Sequence, residues 1–155
     1  MIMDSRLQLC SAASVASAAG TYLLGSQIDT GLTVGTVDAP IYLHIVVSTT
    51  IVTGGSAGTI GFKLASDASA AVATDGTATD HITTEVYVTD DVPSIPAGRV
   101  LFHGELPRGH GVYPAYERYL GLLAIIGTTT ITAGAINAYL TLDKGKWAAL
   151  PDATN

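Results

Sequence analysis

Short runs of β-branched residues, separated by turn residues, dominate this sequence. Threonine, valine and isoleucine recur along the whole chain, and their branched side chains pack well on a pleated sheet. Between the runs stand turn signals such as Gly54-Gly55, Asp75-Gly76 and Pro107-Arg108-Gly109. The sequence lacks the alternation of strand and helix patterns that would predict a parallel sheet. The pattern therefore predicts an all-β, antiparallel sandwich or barrel.

Four runs are the clearest strand candidates. Ile41–Val47 is almost wholly apolar, as expected of a strand that is covered on both faces. Thr59–Leu64, Arg99–Leu106 and Ala135–Leu142 alternate between two faces. In the first of these runs, alternation places Ile60, Phe62 and Leu64 on one face of the strand. In the last, it places four residues on one face: Ile136, Ala138, Leu140 and Leu142.

Two further stretches are ambiguous. Tyr116–Ile126 has apolar residues at helical spacing, but its short length and the β-branched stretch that follows favour a buried strand. Ala65–Thr79 could contain a helical turn, but its small polar residues favour a surface loop. With an N-terminal run around Leu7–Ser11 and a short run at Tyr22–Leu24, we count about eight strands. We expect one β domain over residues 1–143 and an extended C-terminal tail over residues 144–155, an interface arm in this interpretation.

Composition limits the classes of function. The chain has 155 residues, enough for one domain, and only 13% are charged, against roughly 25% in soluble domains. A net charge of −6 argues against a protein that neutralises nucleic-acid phosphates. The longest apolar run, Tyr119–Ile126, is too short to span a membrane. The single cysteine, Cys10, cannot form an intrachain disulfide and is predicted to be buried.

No constellation typical of catalysis or metal binding stands out. His81 and Glu85 are four residues apart, which is roughly 13 Å along a strand. His103 and Glu105 share a strand face, but two ligands are fewer than a zinc site usually needs. Three acids that lie near one another in the sequence do not have the spacing of a calcium-binding loop: Asp67, Asp75 and Asp80. The sequence therefore predicts no catalytic residue, no metal and no cofactor.

The segment Pro107–Gly111 is the most conspicuous polar, glycine-rich segment. Arg108 and His110 could bind an anion or a carboxylate of a partner, or could simply be exposed on a turn. Clustered tyrosines are often core or interface anchors, although they could also stack on a sugar. We take five residues as candidate contacts between subunits: Arg108, His110, Tyr113, Tyr116 and Trp147.

Two blocks of sequence, one at each end of the chain, carry a resemblance. The first comprises Met1–Asp4, Leu7–Ser11, the Ala-rich stretch Ala12–Ala19, Leu24-Gly25 and Gly31. The second comprises Arg118-Tyr119-Leu120, Ile131–Ala138 and Leu140–Asp143. In this order the blocks resemble the Bbp16-like family of phage capsid cement (decoration) proteins. The middle of the chain, including the Arg108–Pro114 segment, departs from the family pattern.

The resemblance implies a jelly-roll-like fold and a homotrimer on the outer surface of a tailed-phage capsid. Its implied partners are sister copies and the major capsid protein, and it implies no catalysis. A second class of function stays open, a β-sandwich module that binds carbohydrate or a receptor through Tyr113, Tyr116 or the Arg108–His110 segment. A third class, a small hydrolase on a β scaffold, would require polar groups that converge in a pocket.

Overall fold

The computed structural model describes residues 5–37, 39–55, 58–89 and 95–142. In these ranges the regular structure consists of strands and one 3-10 turn at Ser5–Leu7, and there is no α-helix. The strands are β1 (Gln8–Ser14), β2 (Gly20–Gly35), β3 (Tyr42–Thr53), β4 (Thr59–Asp67), β5 (Thr79–Thr83), β6 (Tyr87–Val88), β7 (Val100–Glu105), β8 (Tyr116–Gly127) and β9 (Ile131–Thr141). The tail predicted at residues 144–155, with Trp147, lies outside the described residues.

The strands form two antiparallel sheets that pack face to face. Sheet 1 has the order β1-β9-β3-β7, and sheet 2 has the order β2-β8-β4-β5, with β6 also paired to β4. The pairs nest, because β1 pairs with β9, β2 with β8, β3 with β7 and β4 with β5. This nesting is that of one long hairpin rolled into a sandwich. The predicted jelly-roll-like, all-β sandwich is thus confirmed.

The main core lies between the two sheets. Alternate residues of β4 enter it, and Ile60, Phe62 and Leu64 are fully buried while Lys63 lies on the other face. At about 25 cal/mol per Å² of buried apolar surface, this is the dominant stabilisation of a sandwich. The buried residues of the core come from both sheets, which ties the two halves of the rolled hairpin together.

A loop covers the outer face of sheet 2. Val72, in the connection between β4 and β5, packs with Ala65 and Leu123 as a second apolar cluster. Asp67 holds this loop by accepting hydrogen bonds from the backbone N–H groups of Ser69 and Ala73, at 2.8 and 3.1 Å. Both faces of β8 are consequently covered from Leu120 to Ile126, which explains why this part of the strand has no polar side chain.

The predicted strand character of 116–126 is confirmed, because β8 pairs along its length with β2 and β4. The structure corrects the expectation for Leu142, which is 64% exposed because it follows the end of β9. It also corrects the simple alternation of β7. A register shift opposite Ile45 and Val46 leaves Val100 40% exposed and buries Leu101.

Candidate functional site

The connection from β7 to β8 forms a well-held structure at one end of the sandwich. The N–H of Val37 donates to the carbonyl of Arg108 at 3.0 Å, and the hydroxyl of Tyr116 donates to the carbonyl of Pro107 at 2.8 Å. Gly109 has a φ of +71°, and a side chain there would lie 2.9 Å from the Tyr116 ring. The backbone at the base of the loop is therefore left-handed at Gly109 and packed against a ring, and this position requires a glycine.

The tip of the same loop is exposed. Arg108 and His110 point into solvent, and Tyr113 is 55% and Val112 is 92% exposed. Within the described residues, Val112 is the most exposed large apolar side chain. The loop thus displays two apolar groups beside a cation and an imidazole, a mixture that suits a contact with another macromolecule.

Tyr116 differs from the other candidates, because its side chain is buried inside the protomer. Its ring stacks on His81 with the ring centroids 3.8 Å apart, and it is only 6% exposed. Burial raises the pKa of its hydroxyl. In the described chain Tyr116 supports the loop from beneath and does not present a surface to a partner.

A small apolar cavity lies below the loop, between the two sheets. Its volume is about 230 Å³. Leu7, Ile28, Val37, Ile41, Leu106, Tyr116, Leu120 and Leu140 supply most of its lining. Thr30 and Thr36 are its polar side chains. The cavity therefore offers apolar contact with few groups that could orient a polar ligand.

The outer face of sheet 1 carries a row of aromatic and imidazole side chains, of which only His103 was a candidate from the sequence. Gln8, Tyr139, His44 and His103 are direct neighbours on β1, β9, β3 and β7. Leu43 and Ile45 enter the core, so the intervening His44 lies on the opposite face of the sheet, where its neighbours leave it only 1% exposed. The sequence contained one indication of this row. His44 interrupts an apolar run and lies two residues after Tyr42, so both side chains belong to the same face of the strand.

Two imidazoles of this row are in direct contact. His44 Nδ1 lies 3.3 Å from His103 Nδ1, and the rings are 5.4 Å apart and inclined by 71°. Tyr42 stacks on His103, with a centroid separation of 5.7 Å, and Tyr139 packs on His44 at 5.0 Å. Burial, and to a smaller extent the charge of His103, lowers the pKa of His44 to about 4.

A second histidine contacts a buried serine. Ser66 Oγ is 2.7 Å from His81 Nε2 and accepts a hydrogen bond from the N–H of Glu117 at 2.9 Å. Ser66 is fully buried, and among the described residues His81 Nδ1 has no hydrogen-bond partner. The pair thus lacks the carboxylate that orients the base of a Ser-His-Asp triad. Its evident role is to join β4, β5 and β8.

The acids considered in the sequence analysis have structural partners. Asp80 forms a salt bridge with Lys63 at 2.6 Å, Asp75 accepts from the N–H and hydroxyl of Thr77, and Asp67 holds the β4–β5 loop. Among the described residues, no group of three His, Cys, Asp or Glu side chains converges on a possible metal position. Asp29 makes a two-point salt bridge with Arg118 at 2.9 Å, which lowers the pKa of the carboxyl.

Cys10 packs in the main core, as predicted. It is 4% exposed, and burial raises the pKa of its thiol to about 11. The thiol is therefore protonated at neutral pH, and the reactive thiolate is disfavoured.

No protein-family model matches the chain, and no curated protein is significantly similar to it. A search of the described residues finds no helix that is long and apolar enough to cross a membrane.

Proposed function

We propose that this chain is a structural virion protein, a cement protein that binds the outer surface of a tailed-phage head as a homotrimer. Its partners would be sister copies and the major capsid protein. The jelly-roll topology supports the proposal, because that architecture recurs in viral capsid domains. The sequence resemblance at the two ends of the chain supports it independently.

The observation that carries most weight is exposed apolar surface on a chain with few charges. Val86 and Val88, beside the edge of sheet 2, are 67% and 57% exposed, and Val112 at the loop tip is 92% exposed. Only 13% of the residues are charged. Apolar groups displayed in this way favour burial against partners.

The mechanism that we propose is mechanical. A trimer that touches several coat subunits holds them through linked contacts, and linkage raises avidity by roughly 10²–10⁴ without any new contact type. Opening the shell then requires several contacts to break together. Arg108, His110 and Tyr113 are the described side chains that we assign to these contacts, and Trp147 is assigned from sequence alone.

The test combines oligomeric state with capsid binding. Light scattering should give three times the protomer mass of 15.8 kDa, and the protein should sediment with empty heads of the phage that encodes it. A monomer that stays in the supernatant at saturating head concentration would overturn the proposal.

A second candidate function is a carbohydrate- or receptor-binding module on a virion or cell surface. The exposed Tyr113, beside Arg108 and His110, favours it, because tyrosine rings stack on sugars and jelly rolls also occur in lectins. Binding of the isolated oligomer to a glycan array, lost in Tyr113→Ala, would support this function. Head binding without glycan binding would favour the cement role.

A further inference from the structure

The outer face of sheet 1 places two imidazole nitrogens at the separation of neighbouring ligands on a metal ion. In a tetrahedral zinc site with Zn–N bonds of about 2.0–2.1 Å, two ligand nitrogens are about 3.3–3.4 Å apart. The observed distance between His44 Nδ1 and His103 Nδ1 is 3.3 Å. At this distance the two nitrogens can also share a hydrogen bond when no ion is bound.

The orientation of the rings fits the same geometry. If both imidazoles bound one tetrahedral ion through Nδ1, their centroids would be about 5.2 Å apart, given Zn–N bonds of about 2 Å. The observed separation is 5.4 Å, and the planes are inclined by 71°. Binding would therefore need only small ring movements.

The surroundings hold both rings in place. Tyr42 stacks on His103 with an interplanar angle of 12°, and Tyr139 packs on His44. His44 and His103 are also directly opposite each other on the paired strands β3 and β7. Ligands that are fixed before the ion arrives lose little freedom on binding.

We propose that His44 and His103 form a two-histidine binding site for one transition-metal ion of the zinc, nickel or copper class. Imidazole nitrogen is a preferred ligand for these metals. The ion would take the place of the hydrogen bond between the two Nδ1 atoms, and the imidazole that donates it would carry its proton on Nε2 instead. His44 is buried and His103 is exposed, so the ion would enter from the His103 side. The remaining coordination positions are left to water or to a side chain of another molecule. Glu105, two residues along β7 on the same face, adds negative charge nearby.

The pairing of β3 with β7 brings His44 beside His103. Among the described residues, no third His, Cys, Asp or Glu side chain joins these two. This inference does not depend on the proposed virion function, because it follows from two side chains of a single protomer.

The test is a titration of the whole chain with Zn²⁺ alone, in which isothermal titration calorimetry measures the affinity and the stoichiometry. We expect one ion per protomer, at least tenfold weaker binding in His103→Ala, and less than a twofold change in His110→Ala. His110 is a matched control because it is also an exposed histidine. His103 is exposed as well, so its replacement should leave the fold intact, which circular dichroism checks.

A second measurement identifies the ligands directly. Zn²⁺ should shift the Nδ1 resonances of both His44 and His103 in nitrogen NMR spectra, with no shift for His81. With Cu²⁺, electron paramagnetic resonance should show two coordinated nitrogens. Equal Zn²⁺ affinity in wild type and His103→Ala, or no binding at millimolar Zn²⁺, would overturn the proposal.

Discussion

Ser66 Oγ lies 2.7 Å from His81 Nε2, while His81 Nδ1 is buried with no partner among the described residues. A protonated imidazole would carry an N–H on both nitrogens, and the one on Nδ1 would have no acceptor there. Burial lowers the pKa of His81 to about 4, although the charges of Asp80 and Glu117 act in the opposite direction.

The first prediction concerns acid stability. His81 in the unfolded chain has its ordinary pKa of 6.5, so below that pH the unfolded state takes up a proton that the folded state resists. The free energy of unfolding should therefore fall between pH 6.5 and pH 4, by at most about 1.4 kcal/mol per pH unit for this residue. Above pH 6.5 and below pH 4 its contribution should be constant.

His81→Gln isolates this contribution, because glutamine keeps a polar group near Ser66 but does not titrate. His44 has a similarly lowered pKa and titrates in both proteins, so its effect cancels. Denaturant unfolding at several pH values should show wild type losing about 1–3 kcal/mol more than the variant between pH 7 and pH 4. Parallel pH curves for the two proteins would contradict the assignment.

The second prediction concerns two glycines of the β7–β8 loop. Gly109 and Gly111 have nearly equal φ angles of +71° and +70°, but a Cβ at Gly109 would meet the Tyr116 ring, whereas one at Gly111 would meet nothing within 4 Å. Gly111→Ala should cost only the left-handed strain, about 1–2 kcal/mol. Gly109→Ala should cost at least about 1 kcal/mol more, since the buried ring must move. Equal losses in thermal unfolding would show that the loop base is not tightly packed.

The third prediction concerns Ala12, which has a φ of +48° at an irregularity in the β1–β9 pairing. A left-handed conformation costs an L-residue about 1–2 kcal/mol, and glycine avoids this cost but loses more entropy on folding. Ala12→Gly should therefore be stabilising by about 0.5–1 kcal/mol, or neutral. Ala18→Gly is the control, because Ala18 is exposed and is not among the residues with positive φ. A loss of stability as large in Ala12→Gly as in Ala18→Gly would contradict this account.

The fourth prediction tests the exposed loop tip as a contact with the capsid. Val112→Asp should weaken co-sedimentation with empty heads at least tenfold, because a charge would be buried at an apolar contact. Its melting temperature should not change, since Val112 is 92% exposed in the protomer. Ala70→Asp, on the exposed β4–β5 loop, is the matched control. Equal binding by both variants would remove the loop tip from the interface.

Much of the fold was predictable because its signals are local. The alternation of Ile60, Phe62 and Leu64 identifies the buried face of β4, and the continuous apolar run of β8 indicates cover on both faces. The length of β2 was not predictable, since Gly25 and Gly31 interrupt the apolar pattern and adopt positive φ angles within the strand.

The site was less accessible to sequence reasoning, because it depends on register between distant strands. His44 and His103 are 59 residues apart, and their contact requires the β3–β7 pairing, which includes a register shift. The burial of Tyr116 had a weak signal, since its position has the same parity as Leu120 and Leu122. Arg118, at the same parity, obscured that signal, because its side chain is exposed and bonds to Asp29.

The thermal stability of heads with and without the protein tests the cement role most directly. Native heads, and stripped heads to which the purified oligomer has been added back, should rupture at a higher temperature than stripped heads. Linked contacts across several coat subunits must break together in the decorated shell. Rupture of all three preparations at the same temperature, with the protein bound, would contradict the account.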